Sequence, residues 1–247
     1  MNKTLLLAIA LLSSNIVLSN AFANEKSHWG YSGEQGPENW AQLTADNAAC
    51  AGKNQSPVNL TGFIEAELKP LEFSYILGGE EILNNGHTVQ VNYKKGSFVT
   101  IDGKQFKLLQ FHFHAPSENH INGKSYPLEA HLVHADSQGN LAVVAVMFEQ
   151  GKANSLLAKA WQSMPNHAGD KHQLTNLINV DELLPKSRDY YRFNGSLTTP
   201  PCSEGVRWLV MKNAVSASKE QISEFKHALH EPNNRPIQAL NSRIVVQ

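Results

Sequence analysis

Residues 110–134, QFHFHAPSENHINGKSYPLEAHLVH, constrain what this chain can fold into more than any other stretch. Side chains on a β-strand alternate between faces, so the HxH step aims His112 and His114 the same way, with Gln110 on that face too. Past a break holding Gly123 and Pro127, a second alternating run, 128–134, puts Glu129, His131 and Val133 on one face and Leu132 and His134 on the other. If the two runs are adjacent antiparallel strands, His131 meets the first pair. Three neutral imidazoles with a fourth position open to water are the ligand set of a catalytic zinc site, whereas a structural site closes all four positions, usually with thiolates. Gln110 and Glu129 share the parity of the histidines and are candidates for the partners that fix imidazole tautomers.

Much of the remaining chain reads as sheet. Alternation runs through residues 85–93, 97–101 and 105–114, and the continuous apolar run 141–148 reads as a strand buried on both faces. Two helices interrupt the pattern. One lies near residues 154–164 and is stopped by Pro165. The other lies near 219–230, with Ser218 as N-cap, Gln221 completing a capping box, and Ile222, Phe225 and Leu229 along one face. Residues 27–40, rich in Gly, Pro and aromatics, read as an irregular arm laid over the body, and Ser56–Pro57 is a candidate cis bond. At 247 residues and 41% hydrophobic, the chain is of one-domain size. The expected fold class is mainly β (α+β): a single domain on a large, mostly antiparallel twisted central sheet with a few peripheral helices.

The N-terminus is different. Lys3, an apolar run from 5 to 12 and the small-x-small pattern of Ala21, Phe22 and Ala23 form a cleavable leader over residues 1–23, so the functional domain is expected at 24–247. The run is far shorter than the ~20 residues a membrane span needs, so no membrane anchor is expected after cleavage. Removing the leader takes away one lysine and leaves 20 basic against 22 acidic side chains, a balance that favours neither nucleic acid nor an anionic membrane. In an exported protein the two cysteines, Cys50 and Cys202, are expected to form one disulfide, contributing roughly 4 to 5 kcal/mol in the chain-entropy model. Just before Cys202, Leu197 offers apolar surface, Thr198 and Thr199 offer hydroxyls, and Pro200-Pro201 stiffens the segment.

These pieces occur in a telling order: HWGYSG (28–33), GPENW (36–40), QSPVNL (55–60), NNGHTVQV (84–91), QFHFHAPSENH (110–120), EAHLVH (129–134), GSLTTPPC (195–202) and NNRPIQALNSR (233–243). Together they resemble an α-class carbonic anhydrase of the bacterial periplasmic type, over nearly all of the chain beyond the leader. The resemblance implies Zn²⁺ on His112, His114 and His131, with Gln110 and Glu129 as partners of two of them. It implies reversible hydration of carbon dioxide to bicarbonate and a proton by zinc-hydroxide attack, with His87 as proton shuttle. Thr198 matches the residue that orients the hydroxide, its own proton going to the carboxylate of Glu118. Val133, Val143, Leu197 and Trp208 match the apolar wall that holds CO₂, while Tyr31 and Thr199 match residues that order water. Gln90 stands where well-known animal members carry Asn, and Ala115-Pro116 follows His114 in place of Trp-Gly. The expected partner is the small-molecule substrate, the expected location is the periplasm, and a homodimer is left open. Two other readings keep the histidines: a cupin-like metal oxygenase, which normally adds a carboxylate ligand, and an acatalytic periplasmic zinc-binding protein, which needs neither the Thr198–Glu118 relay nor His87.

Overall fold

The computed structural model describes residues 28–247, so the leader expected at 1–23 lies outside the described residues. The chain runs through α1 (Trp40–Leu43), β1 (Asn59–Leu60), β2 (Glu72–Ser74), β3 (Gly79–Asn84), β4 (Val89–Tyr93), β5 (Phe98–Ile101) and β6 (Lys104–His114). It continues with β7 (His120–Ile121), β8 (Leu128–Ala135), β9 (Leu141–Gln150), α2 (Ser155–Trp161), β10 (Lys171–Ile178), β11 (Tyr190–Ser196), β12 (Glu204–Met211), β13 (Val215–Ala217) and α3 (Lys219–Leu229). The main sheet has 11 strands in the order β10-β3-β4-β6-β8-β9-β12-β11, with β5 joining β2 to β6 and β13 lying along β9. Its pairing is antiparallel except where β12 and β13 run parallel to β9. The expected sheet-dominated α+β domain is what forms.

Period-two patterning decides which side of the sheet each core residue serves. Leu128, Ala130 and Leu132 of β8 pack with Val144, Val146 and Phe148 of β9 on the helical side. There Phe113, Trp161 and Phe225 meet in ring contacts that seat α2 and α3. The alternate residues, Val133 of β8 with Val143, Ala145 and Met147 of β9, join Trp208 and Val210 in a second cluster on the opposite face. The run 141–148 is therefore apolar throughout because both faces of β9 are covered. Asn154 caps α2 by accepting from the N–H groups of Leu156 and Leu157, and Ser218 with Gln221 forms the expected capping box on α3. Helix α2 ends at Trp161, short of the expected 164.

Two expectations need correction. The strand expected from residue 85 begins at Val89: Gly86 takes a positive φ of 85°, and Asn85 Oδ1 accepts from the N–H of His87 and of Thr88, so 85–88 is a hairpin turn. Strands β3, β10, β11, β12 and β13 also escape the pattern. β10 is exposed at most of its positions, and β11 and β12 are interrupted by Gly195 and Gly205. Ser56–Pro57 is cis, as expected.

The aromatic arm is pinned rather than loose. Trp40 Nε1 donates to the carbonyls of Gly30 and Gln35, and Trp29 and Tyr31 pack on a cluster of Trp40, Cys50 and Cys202. Cys50 and Cys202 form a disulfide across a sequence separation of 152 residues. Reduction is expected to destabilise the protein by about 4 kcal/mol, lowering Tm by roughly 10 °C. Calorimetry with and without reductant checks this, and an unchanged Tm in fully reduced protein would contradict it.

Candidate metal centre

The site is a patch of sheet lattice. One cross-strand row runs Leu83, Gln90, His112, His131, Ala145 and Val210 through β3, β4, β6, β8, β9 and β12. The next row on the same face runs Glu81, Asn92, Gln110, Val133, Val143 and Trp208. Directly opposed residues on one face are close neighbours, so register alone sets His131 beside His112 and continues the row of Gln110 into the apolar residues. His114 lies opposite Glu129 in the following row.

The ligand nitrogens of His112, His114 and His131 all lie within 4.8 Å of one another. Each imidazole is held through its other nitrogen. His112 Nδ1 bonds Gln110 Oε1 at 2.9 Å, His114 Nδ1 bonds the carbonyl oxygen of Asn233 at 2.7 Å, and His131 Nε2 bonds Glu129 Oε1 at 2.9 Å. Those acceptors fix the tautomers and leave Nε2, Nε2 and Nδ1 to converge. Glu129 is held in turn by the N–H groups of Glu118 and Asn119 and by Asn119 Nδ2. Burial lowers the pKa of all three histidines, and His114 adds to the effect at His112 and His131, so they stay neutral as ligation requires. Nε2 of His114 is buried with no hydrogen-bond partner. An orphaned neutral imidazole nitrogen facing two others is chemistry that fits Zn²⁺.

Glu118 sits beside this group, its Oε2 3.5 Å from His114 Nε2 and 3.9 Å from His131 Nδ1. It does not belong to the set whose ligand atoms all approach one another, so the centre is three histidines without a carboxylate. Burial pushes the Glu118 carboxyl well above its ordinary pKa, opposed by the backbone N–H of Arg235 and the hydroxyl of Thr198. The Arg235 N–H donates to Oε1 at 2.9 Å, while Oε2 is buried without a partner of good geometry.

Above the histidines lies a cavity of about 130 Å³ where His112 and His114 meet Tyr31, His87, Gln90 and Thr199. The Tyr31 hydroxyl is buried without a partner and touches no ligand histidine through a hydrogen bond. His87, in the β3–β4 turn, stacks on Trp29 with ring centroids 3.6 Å apart and an interplanar angle of 11°. Burial lowers its pKa below 6.5, neighbouring His28 lowers it further, and Glu231 opposes both. Val133, Val143 and Trp208 share one buried cluster against which Leu197 packs, and the Trp208 ring meets His131 edge-on at 4.9 Å. Sequence reasoning misses Asn233, whose carbonyl holds His114 while its side chain binds the backbone of Ala115, Phe113 and His87. Its place in NNRPIQALNSR is the signal that could have found it.

Of the remaining histidines, His134 is fully buried on the opposite face, its Nε2 bonded to the Tyr75 hydroxyl at 2.8 Å, and it takes no part in the centre.

Fold and centre together define a class: proteins that gather three histidines able to hold a metal ion on one face of a large mixed sheet. A model of the eukaryotic-type carbonic anhydrase family matches residues 35–247. The carbonic anhydrase of Pectobacterium atrosepticum is 49% identical over 240 residues, covering 97% of this chain and 98% of the relative. That of Klebsiella pneumoniae is 46% identical over 248 residues, covering 99% and 100%. Among solved structures, the α-carbonic anhydrase of Thermovibrio ammonificans in complex with the inhibitor sulfanilamide matches with a TM-score of 0.88 at 49% identity, covering 90% of this chain and 99% of that one. This chain belongs to the α-class carbonic anhydrases, enzymes of carbon dioxide hydration.

Proposed function

We propose that this chain is an exported zinc enzyme that interconverts CO₂ with bicarbonate and a proton, using His87 to move the proton out. The observation that carries the reading is the convergence of three histidine nitrogens within 4.8 Å of one another, two of them on residues that line a cavity. His112, His114 and His131 would hold the ion. Zinc held there supplies hydroxide near neutral pH by acidifying a water to a pKa of about 7, a figure that comes from carbonic anhydrase itself.

The other residues position what reacts. Val133, Val143, Leu197 and Trp208 offer CO₂ a dry apolar face beside His131. The Thr198 hydroxyl would donate a hydrogen bond to Oε2 of Glu118, leaving Oγ free only to accept one from the nucleophile and so to hold it with a lone pair toward the carbon. Glu118 acts here as an ionised acceptor, a form that a zinc ion held by the neighbouring histidines would favour against its burial. Thr199 and Tyr31 order water in the cavity. His87 accepts the released proton on its imidazole and passes it to solvent.

Export to the periplasm is supported by the leader at 1–23 and by the disulfide, which persists in oxidising compartments. Among the described residues no helix is long and apolar enough to cross a membrane.

Zinc analysis together with stopped-flow CO₂ hydration on protein beginning at Asn24 tests the reading. A zinc store binds metal without turnover, and an oxygenase prefers iron; either result would overturn it. For His87, the expected result of His87→Ala is a kcat lowered at least about tenfold in weak buffer, with kcat/KM nearly unchanged and turnover restored by added imidazole. Because burial and His28 depress its pKa, neutral His87 persists into mild acid. The acid limb of wild-type kcat in weak buffer should therefore have its midpoint below 6.5. A variant kcat equal to wild type at low buffer would remove His87 from the mechanism.

A further inference from the structure

Gln90 lines the cavity that holds His112 and His87, and its own orientation is set from outside that cavity. Gln90 Nε2 donates to Asn92 Oδ1 at 2.7 Å, and Asn92 Nδ2 donates to Glu81 Oε1 at 3.0 Å. Oε2 of Glu81 faces Lys171 Nζ at 3.3 Å and Gln173 Nε2 at 3.5 Å on β10. An amide can be turned either way, but a carboxylate only accepts. Glu81 therefore obliges Asn92 to present its nitrogen outward and its oxygen inward. Asn92 in turn obliges Gln90 to spend its nitrogen on the ladder and keep Oε1 for the cavity. Each step is also a directly opposed or next-but-one pair on β3 and β4, so the register holds the three side chains in line.

We infer that Glu81 is a positioning residue for proton transfer: by fixing the polarity of the Glu81–Asn92–Gln90 ladder it places an acceptor, not a donor, on the cavity wall between His112 and His87. The inference rests on the shuttle reading of His87. A water that relays a proton must receive it on a free lone pair and pass another hydrogen onward, so its remaining O–H has to be held off the path. Gln90 Oε1 can accept that remaining O–H and orient the water with its lone pair free. With the ladder reversed, the Gln90 amide nitrogen would donate to the water, compete for one of its two lone pairs and leave its second O–H without the acceptor that held it off the path.

Glu81→Lys reverses the ladder, because an ammonium only donates and turns both amides. The expected result is a kcat in weak buffer lowered about fivefold, the rate equivalent of one neutral hydrogen bond's net worth. Zinc content and kcat/KM should hold, and imidazole should restore turnover. Two double variants separate polarity from ion pairing. Glu81→Lys with Lys171→Glu restores the ion pair but not the polarity, and kcat should stay low. Glu81→Lys with Asn92→Asp gives the introduced lysine a carboxylate that again accepts from Gln90, and kcat should recover. Rescue by the charge swap instead of by Asn92→Asp would overturn the inference, as would wild-type kcat in Glu81→Lys. His87→Ala is measured alongside: if it shows the buffer-dependent loss and Glu81→Lys does not, the ladder fails and the shuttle stands. If His87→Ala turns over like wild type, the shuttle reading falls and the inference with it.

Discussion

His131→Ala is expected to lose its zinc and nearly all CO₂ hydration. Three protein nitrogens converge at the centre, and two imidazoles on one strand cannot replace the third, which β8 supplies through the pairing of His131 with His112. Removing an outer partner of a ligand typically costs 10- to 100-fold in metal affinity, so removing the ligand itself should cost more than about 100-fold. The substitution also withdraws one of the donors to the buried carboxylate of Glu129 and the ring against which Trp208 packs, so some loss of stability is expected too. Two measurements keep these effects apart. Zinc competition against a chelator series reads affinity directly, and wild-type protein stripped of zinc should recover activity on adding zinc where the variant does not. Wild-type zinc content and turnover in His131→Ala would reject the ligand assignment.

The centre was legible from sequence because strand periodicity is rigid. Residues two apart must share a face, so the spacing of His112 and His114 and the position of His131 in its own alternating run predict convergence once the two strands pair. Gln110 and Glu129 follow from the same parity, and each bonds one histidine of the cluster. What sequence hid has physical reasons. The third acceptor is the main-chain oxygen of Asn233, and a backbone carbonyl has no residue-type signature. β10 at the sheet edge is exposed at most positions and lacks the alternation that marks a half-buried strand. His87 sits in a turn because Gly86 and the side chain of Asn85 override the β-pattern around them. The Glu81–Asn92–Gln90 ladder needs the β3–β4 register, and β3 itself escaped the reading.

Thr198→Ala is expected to keep its zinc and lose about 10² in kcat/KM, the scale seen when one preorganised hydrogen bond to a reacting group is removed. Thr198 is buried, the first oxygen of Glu118 is already taken by the Arg235 N–H and Oε2 has no partner of its own, which makes Oε2 the proposed acceptor for the threonine hydroxyl. A hydroxyl that donates to a carboxylate has only lone pairs to offer the nucleophile, and that asymmetry aims the nucleophile's own lone pair at the carbon. Alanine abolishes the aim while the three histidines and their partners remain, so zinc affinity should be unchanged and the loss should appear in kcat/KM at every buffer concentration. That separates it from His87→Ala, whose loss should appear in kcat and respond to buffer. Thr198→Ser keeps the hydroxyl and should retain most of the rate, so a serine variant as slow as alanine would point to packing in place of orientation. An unchanged kcat/KM in Thr198→Ala would reduce the contact with Glu118 to a structural one.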